Sequence, residues 1–255
     1  MVNIGAVITA RMASTRFPGK VIAPLFGEPM LGQIIKRVRK VVDIVGVATT
    51  TSPEDDEIEY VCKDYGALVY RGSTWDVFHR RWYSARDFGL TVAFDISGDC
   101  PYIDPDLMAL LKTAILTSPG YDMYCHPPFY RDIGETLCCA RALTYYEKIE
   151  SLYLTLSEDL RIAAEGSYGA LLEEHYGLDV NGVGFEQKYT RVLTIPTHLN
   201  RMNTPMKLSI DYPLELDVAN LICSHLGNIP SSIEQIMEAY KSVRVPATLA
   251  RQVLQ

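Results

Sequence analysis

Residues 2–20 read Val-Asn-Ile-Gly-Ala-Val-Ile-Thr-Ala-Arg-Met-Ala-Ser-Thr-Arg-Phe-Pro-Gly-Lys. Val2 to Thr9 is a short, β-branched, apolar run, the pattern of a strand covered on both faces. A loop punctuated by Pro18 and Gly19 follows, and it packs Arg11, Arg16 and Lys20 together with the hydroxyls of Ser14 and Thr15. Three like charges so close repel one another unless an anion joins them. Backbone N–H groups, hydroxyls and cations in one loop are what a triphosphate needs. The plain alternative is a solvated basic loop. The spacing is neither GxxxxGK[ST] nor GxGxxG, so ATPase and dehydrogenase readings lose support.

Outward from this stretch, strands and helices alternate. Leu31, Ile34, Ile35, Val38 and Val42 recur at helical spacing with Lys36, Arg37, Arg39 and Lys40 between them, which predicts an amphipathic helix. Ile44 to Thr50 reads as a strand. Ser52 is placed to cap a helix with Pro53 at its first position. Ala67 to Arg71 predicts a strand, Trp75 to Phe88 a helix, Thr91 to Ser97 a strand and Pro105 to Leu116 a helix. This order implies a mostly parallel sheet wrapped by helices on both faces, with ligands beyond the carboxyl ends of the strands. The loops after Thr9 and Ser97 both fall at that edge.

The rhythm breaks between residues 121 and 204. Short segments such as Thr136 to Ala140 and Thr190 to Ile195 read as strands, and Leu143 to Lys148 and Ser157 to His175 as helices. We expect an α+β excursion inserted into a single unit of residues 1–255, a natural place for acceptor specificity or a dimer contact. Lys207 to Ile210 predicts a strand, Pro213 to Leu226 a helix, and Ser231-x-x-Glu234 opens a last helix.

The 255 residues carry a net charge of −7, which argues against a nucleic-acid footprint, since that needs a basic face. Any bound polyanion is therefore small. Met1 to Ala10 lacks a charged leader, so a strand is expected and not a signal peptide. No apolar run reaches about 18 residues, so no membrane span is expected. Six cysteines without CxxC spacing fit free thiols in a reducing cytoplasm.

Four blocks carry a family resemblance: ITARMASTRFPGKVIAPLFGEPML (8–31), DDEIEYVCKDYGALVYRGSTWDV (55–77), DISGDCPYIDPDL (95–107) and LSIDYPLELD (208–217). Together they resemble the cytidylyltransferases, the group that includes acylneuraminate cytidylyltransferases, CMP-KDO synthetases and spore-coat polysaccharide biosynthesis proteins. The resemblance covers about residues 4–120 and 205–226. It implies a Rossmann-like α/β sandwich and attack by an acceptor oxygen on the α-phosphorus of CTP. Ala10, Arg11, Met12, Ser14, Arg16 and Lys20 would bind the nucleotide, with Arg71 and Asp76 nearby. Lys20 and Arg11 would neutralise the triphosphate during reaction. Asp99 and Asp211 would hold Mg²⁺, a hard cation that takes one or two carboxylates and completes its shell with water and phosphate. The partners implied are CTP, a small sugar-like or anionic acceptor and a second copy of the chain.

Relatives often carry a basic residue where this chain has Asp95. Strand alternation puts Asp95 and Ser97 on one face. An acid there is an extra metal ligand, the mark of a changed acceptor, or the partner of a nearby arginine. His126, Arg131, Glu135 and His175 are acceptor candidates, with structural roles as the alternative. Asp104-Pro105-Asp106 spells DxD, but Asp104 before a helix-opening proline reads better as a cap. Two other functions fit the same loop: a glycosyltransferase using a ready-made nucleotide sugar, or a nucleotide-binding protein without turnover.

Overall fold

The computed structural model of the chain describes residues 2–126, 139–163, 191–195 and 208–243. Its elements in chain order are β1 (Ile4–Thr9), β2 (Pro24–Leu25), β3 (Glu28–Pro29), α1 (Met30–Val38), β4 (Ile44–Thr50), α2 (Asp56–Asp64) and β5 (Leu68–Gly72). There follow α3 (Val77–Asp87), β6 (Val92–Ser97), α4 (Pro105–Thr117), β7 (Met123–Cys125), β8 (Cys139–Ala142), α5 (Leu143–Tyr153), α6 (Glu158–Ala163), β9 (Val192–Thr194), α7 (Pro213–Leu226) and α8 (Ile233–Ser242).

One seven-stranded sheet has the order β5-β4-β1-β6-β8-β7-β9. β1 lies between β4 and β6, parallel to both, and Ala6, Val7 and Ile8 are fully buried, as the unbroken apolar run requires. The two faces separate by alternation. Ala6 and Ile8 join the main core with Ile34, Ile35 and Leu111, while Val7 packs with Ala48, Ala85, Leu90 and Ala93. In α1, Leu31, Ile34, Ile35 and Val38 are all buried, each worth about 1.5–3 kcal/mol relative to exposure. Gly46 lets α3 close on β4: a Cβ there would lie 2.0 Å from a ring carbon of Phe88. Successive connections from β1 run to β4 and β5 on one side, and the chain then crosses to β6 on the other. The switch point therefore lies beyond Thr9 and Ser97, which are register partners.

Several sequence expectations change. Ser52 makes no side-chain cap; a 3₁₀ turn at Pro53–Asp55 precedes α2, and Asp55 turns inward instead. Arg37 is buried, not solvated, donating from Nε to the carbonyl of Ile103 (2.8 Å) and from Nη1 to that of Pro230. It thereby ties α1 to the segments before α4 and α8. Residues 208–210 form no strand; Ile210 N–H makes a bond of 2.9 Å to the Asp99 carbonyl. Ser232, not Ser231, caps α8. The described strands of the 121–204 stretch, β7, β8 and β9, are hydrogen-bonded into the main sheet, with β8 antiparallel to β6. They extend the sheet rather than leave it. Among the described residues no helix is long and apolar enough to cross a membrane.

Candidate active site

The opening loop is shaped by its own backbone and by one buried acid. The Met12 carbonyl accepts from the N–H groups of Ser14 (2.8 Å) and Gly19 (2.9 Å), and Gly19 holds a φ of 73° that suits glycine. Ser14 Oγ accepts from Phe17 N–H. Asp55, 1% exposed, accepts from Met12 N–H at 2.7 Å and from both the N–H and hydroxyl of Thr50. In sequence Asp55 reads only as an acid in a helix's first turn, because nothing local shows that β4 brings it beside β1. Replacing Asp55 by alanine strands three donors, and unmade buried donors cost about 1–3 kcal/mol each. We expect Asp55→Ala to lose about 3 kcal/mol in urea unfolding and to weaken nucleotide binding. An unchanged midpoint and an unchanged binding constant would together refute the anchoring role.

The loop then delivers Lys20 to two carboxylates. Lys20 Nζ lies 2.6 Å from Asp99 Oδ2 and 2.9 Å from Asp211 Oδ1, and Arg16 Nη2 lies 2.6 Å from the same Asp211 oxygen. Lys20 is 8% exposed. Burial alone would lower its pKa, but the two carboxylates outweigh burial and raise it. Each acid is fixed by a different element. Asp99 follows β6, where Ser97 Oγ donates to it. Gly98 permits this approach: its N–H meets the Thr9 carbonyl at 2.8 Å, and a Cβ there would crowd the same oxygen at 2.8 Å. Asp211 precedes α7, and Glu215 in the first turn of that helix accepts from Tyr212 N–H (3.0 Å) and Asp211 N–H. Asn220 of α7 in turn bonds Pro24 and Phe26 at the β2–β3 hairpin, tying α7 to the segment that follows the loop.

A cavity of about 320 Å³ opens beside this cluster, lined by the loop, the β6 end and α3. Ala10, Arg11, Ser14, Arg16 and Lys20 line it, with Ser97, Gly98 and Asp99. Two further cations absent from the expected set, Arg80 and Arg81, line it from α3. The signal was available in part: Val77, Arg80 and Arg81 stand three and four residues apart and share one helix face. Met12 supports the loop by its backbone and does not line the cavity.

Other expected site residues serve the scaffold. Arg71 donates from Nε to the Thr50 carbonyl (2.8 Å) and from Nη1 to Asp56 and Glu59, fastening α2 to β5. Asp76 caps α3 through His79 N–H at 2.9 Å and pairs with the His79 ring at 3.0 Å. Asp95 is gripped by Arg141 of β8 and by the Tyr146 hydroxyl at 2.8 and 2.9 Å, so of its three readings the arginine pair is the one realised. His126 is buried, with its two ring nitrogens 3.0 Å from the carbonyls of Ile195 and Leu107. None of these four lines the cavity. Asp104 caps α4 through the N–H groups of Asp106 and Leu107. Arg131, Glu135 and His175 lie outside the described residues.

Among the described residues no group of three or more His, Cys, Asp or Glu side chains gathers. Two hard carboxylates already share one cation, Lys20 Nζ, beside a basic cavity. A magnesium ion needs little more from protein when phosphate and water supply its other ligands.

Comparison with known proteins assigns the family. The cytidylyltransferase family profile matches residues 6–236. The chain is 38% identical over 119 residues to the 3-deoxy-manno-octulosonate cytidylyltransferase of Parabacteroides distasonis, a match that spans 44% of this chain and 45% of that one. The chain thus spans about half the length of that relative. It is 32% identical over 254 residues to the enzyme of the same name from Geobacter sulfurreducens, covering 94% of this chain and 100% of that one. Among solved structures, a cytidylyltransferase from Leptospira borgpetersenii shares its fold with a TM-score of 0.78, at 23% identity and 95% coverage of each chain. With the profile spanning both the basic loop and the two aspartates that meet on Lys20, the chain belongs to the cytidylyltransferase family.

Proposed function

We propose that this chain is a magnesium-dependent cytidylyltransferase that transfers CMP from CTP to an oxygen of a sugar-acid acceptor and releases pyrophosphate. The observation that carries the reading is the meeting of Asp99 and Asp211 on Lys20 at a cavity walled by the basic loop. Binding alone needs cations; two carboxylates set among them compete with phosphate for Lys20 and Arg16, which a metal joining the phosphates would relieve. The relatives are named for a CMP transfer to a 2-keto sugar acid, which supports that acceptor class.

In this reading Arg11 and Lys20 neutralise the triphosphate, and Ser14 and Arg16 orient it for in-line attack. The acceptor oxygen bonds to the α-phosphorus as the bond to the bridging oxygen breaks. That electron pair leaves with pyrophosphate, and the acceptor's hydroxyl proton passes to solvent. Magnesium held by Asp99 and Asp211 would draw charge from the α-phosphate oxygens as a Lewis acid. Gly98 and Asp55 keep the two strand ends and the loop in place while charge redistributes. We further propose that residues 1–255 act as one unit in the cytoplasm, as a homodimer. The 121–204 stretch supplies the acceptor contacts, with Arg131, Glu135 and His175 as candidates.

The test is a matrix of CTP, UTP, GTP and ATP against 2-keto sugar acids, sugar phosphates and phosphonates, read by pyrophosphate release with magnesium. We expect release with CTP and a 2-keto sugar acid. No pyrophosphate in any well, with consumption of a nucleotide sugar and release of a nucleotide in a parallel assay supplied with nucleotide sugars, would overturn the proposal in favour of glycosyl transfer.

A further inference from the structure

The two walls of the cavity carry unlike charge patterns. Toward α7, Lys20 and Arg16 are balanced by Asp99 and Asp211. Toward α3, Arg80 and Arg81 line the same space as Arg11, and Asp99, the one acid among the described lining residues, is engaged by Lys20. Arg80 is 2% exposed. Its Nη1 donates to the Ser73 carbonyl, but its Nε–H has no hydrogen-bond partner among the described residues. A guanidinium has five donors, and leaving buried donors unmade is unfavourable. Of the acids nearby, Asp55 holds Met12 and Thr50, while Asp76 caps α3 through Oδ1 and its Oδ2, 3.0 Å from the His79 ring, makes no hydrogen bond to Arg80 among the described residues. Burial, together with the neighbouring Arg11 and Arg81, pushes Arg80 down to about 10, which leaves it a cation at neutral pH.

We propose that Arg80 is an anion ligand of this cavity, forming with Arg11 a second phosphate-binding wall that holds the nucleotide's polyphosphate tail and then the departing pyrophosphate. The inference rests on the nucleotidyl-transfer reading of the cavity. Arg80 is assigned to the nucleotide's phosphates because it lines the same cavity as Arg11, Ser14 and Lys20 of the basic loop. Two guanidinium groups that repel one another are relieved together by an anion with several oxygens, and the planar fork matches phosphate bidentately. When the bond from the α-phosphorus to the bridging oxygen breaks, the charge that accumulates on pyrophosphate falls between these two arginines.

The test is calorimetric titration of the full chain with sodium pyrophosphate and, separately, with CMP, both in EDTA so that only protein cations contribute. Arg80→Met is expected to lose about 10- to 100-fold in pyrophosphate affinity, the loss of one charge-assisted contact, with CMP affinity within about twofold. Arg80→Lys keeps a charge without the fork and is expected to remain at least about fivefold weaker for pyrophosphate; if Arg80→Met does not fold, the lysine variant decides. Unchanged pyrophosphate affinity in a folded variant overturns the proposal. So does an equal loss for CMP and pyrophosphate, which marks a structural residue, or a raised acceptor KM with unchanged pyrophosphate inhibition. Failure of the unaltered protein to bind pyrophosphate or CTP at all would instead overturn the nucleotidyl-transfer reading, whatever Arg80 does.

Discussion

Lys20→Met is expected to lower kcat/KM for nucleotidyl transfer by about 10³-fold or more, the largest effect of any single change in the loop. The side chain is 8% exposed and sits between two acids fixed by separate elements, Asp99 after β6 and Asp211 before α7. Methionine keeps most of the volume and removes the charge. Two consequences follow from that one loss. The triphosphate loses its most confined cation, so both nucleotide binding and stabilisation of the developing charge suffer. The protein without ligand is left with Asp99 lacking its cation beside Asp211, which keeps Arg16 at 2.6 Å, so the melting temperature is expected to fall. Magnesium supplies a substitute charge, so added metal is expected to recover melting temperature without recovering turnover. That split separates a chemical role for Lys20 from a structural one. Near-normal pyrophosphate release by the variant would remove the loop from the mechanism, and Lys20→Arg is not expected to rescue it, because the wider fork does not fit between the two oxygens.

The parts of the fold legible in the sequence are those decided by short-range pattern. The apolar run of β1 and the stripe Leu31, Ile34, Ile35, Val38 state their burial outright, and the alternation of strands and helices orders β4, β5 and β6 around β1. Lys20, Asp99 and Asp211 each stand in a recognisable motif, while their meeting depends on contacts 79 and 191 residues apart in the chain. What misled was charge whose partner is distant in the chain. Arg37 looks like a solvated helix residue, yet its acceptors are 66 and 193 residues away. Asp95 looks like a ligand at a strand end, but β8 arrives with Arg141 to claim it. Arg71 lies in a motif associated with nucleotide binding and is consumed in holding α2. Arg80 was overlooked for the converse reason. A cation in the first turns of a helix usually faces water, and only the packing of α3 across β1, β4 and β5 turns it into the cavity. Long-range strand placement, as with β7, β8 and β9, leaves the faintest trace because their segments are short and their pairing non-local.

Asp211→Asn should cost at least about 100-fold in kcat/KM, given that even residues supporting a metal ligand are worth 10- to 100-fold. The substitution keeps the shape, the Glu215 bonds that seat the residue, and the start of α7. It removes a negative charge and a hard oxygen. Stability should change little, since Lys20 keeps Asp99 at 2.6 Å, and the melting temperature is expected to stay within a few degrees. The informative contrast lies in how metal and anion binding move apart. Magnesium titrations of turnover are expected to shift to much higher concentration. Pyrophosphate binding in EDTA should hold or tighten, because Arg16 and Lys20 lose a competitor that now lies 2.6 and 2.9 Å from them. A residue needed only for folding would weaken both, and a residue needed only as a phosphate-side positioner would leave the magnesium titration where it was. Full activity with an unaltered magnesium dependence would show that the metal is held without Asp211, and the meeting of the two aspartates on Lys20 would then be a structural pair alone.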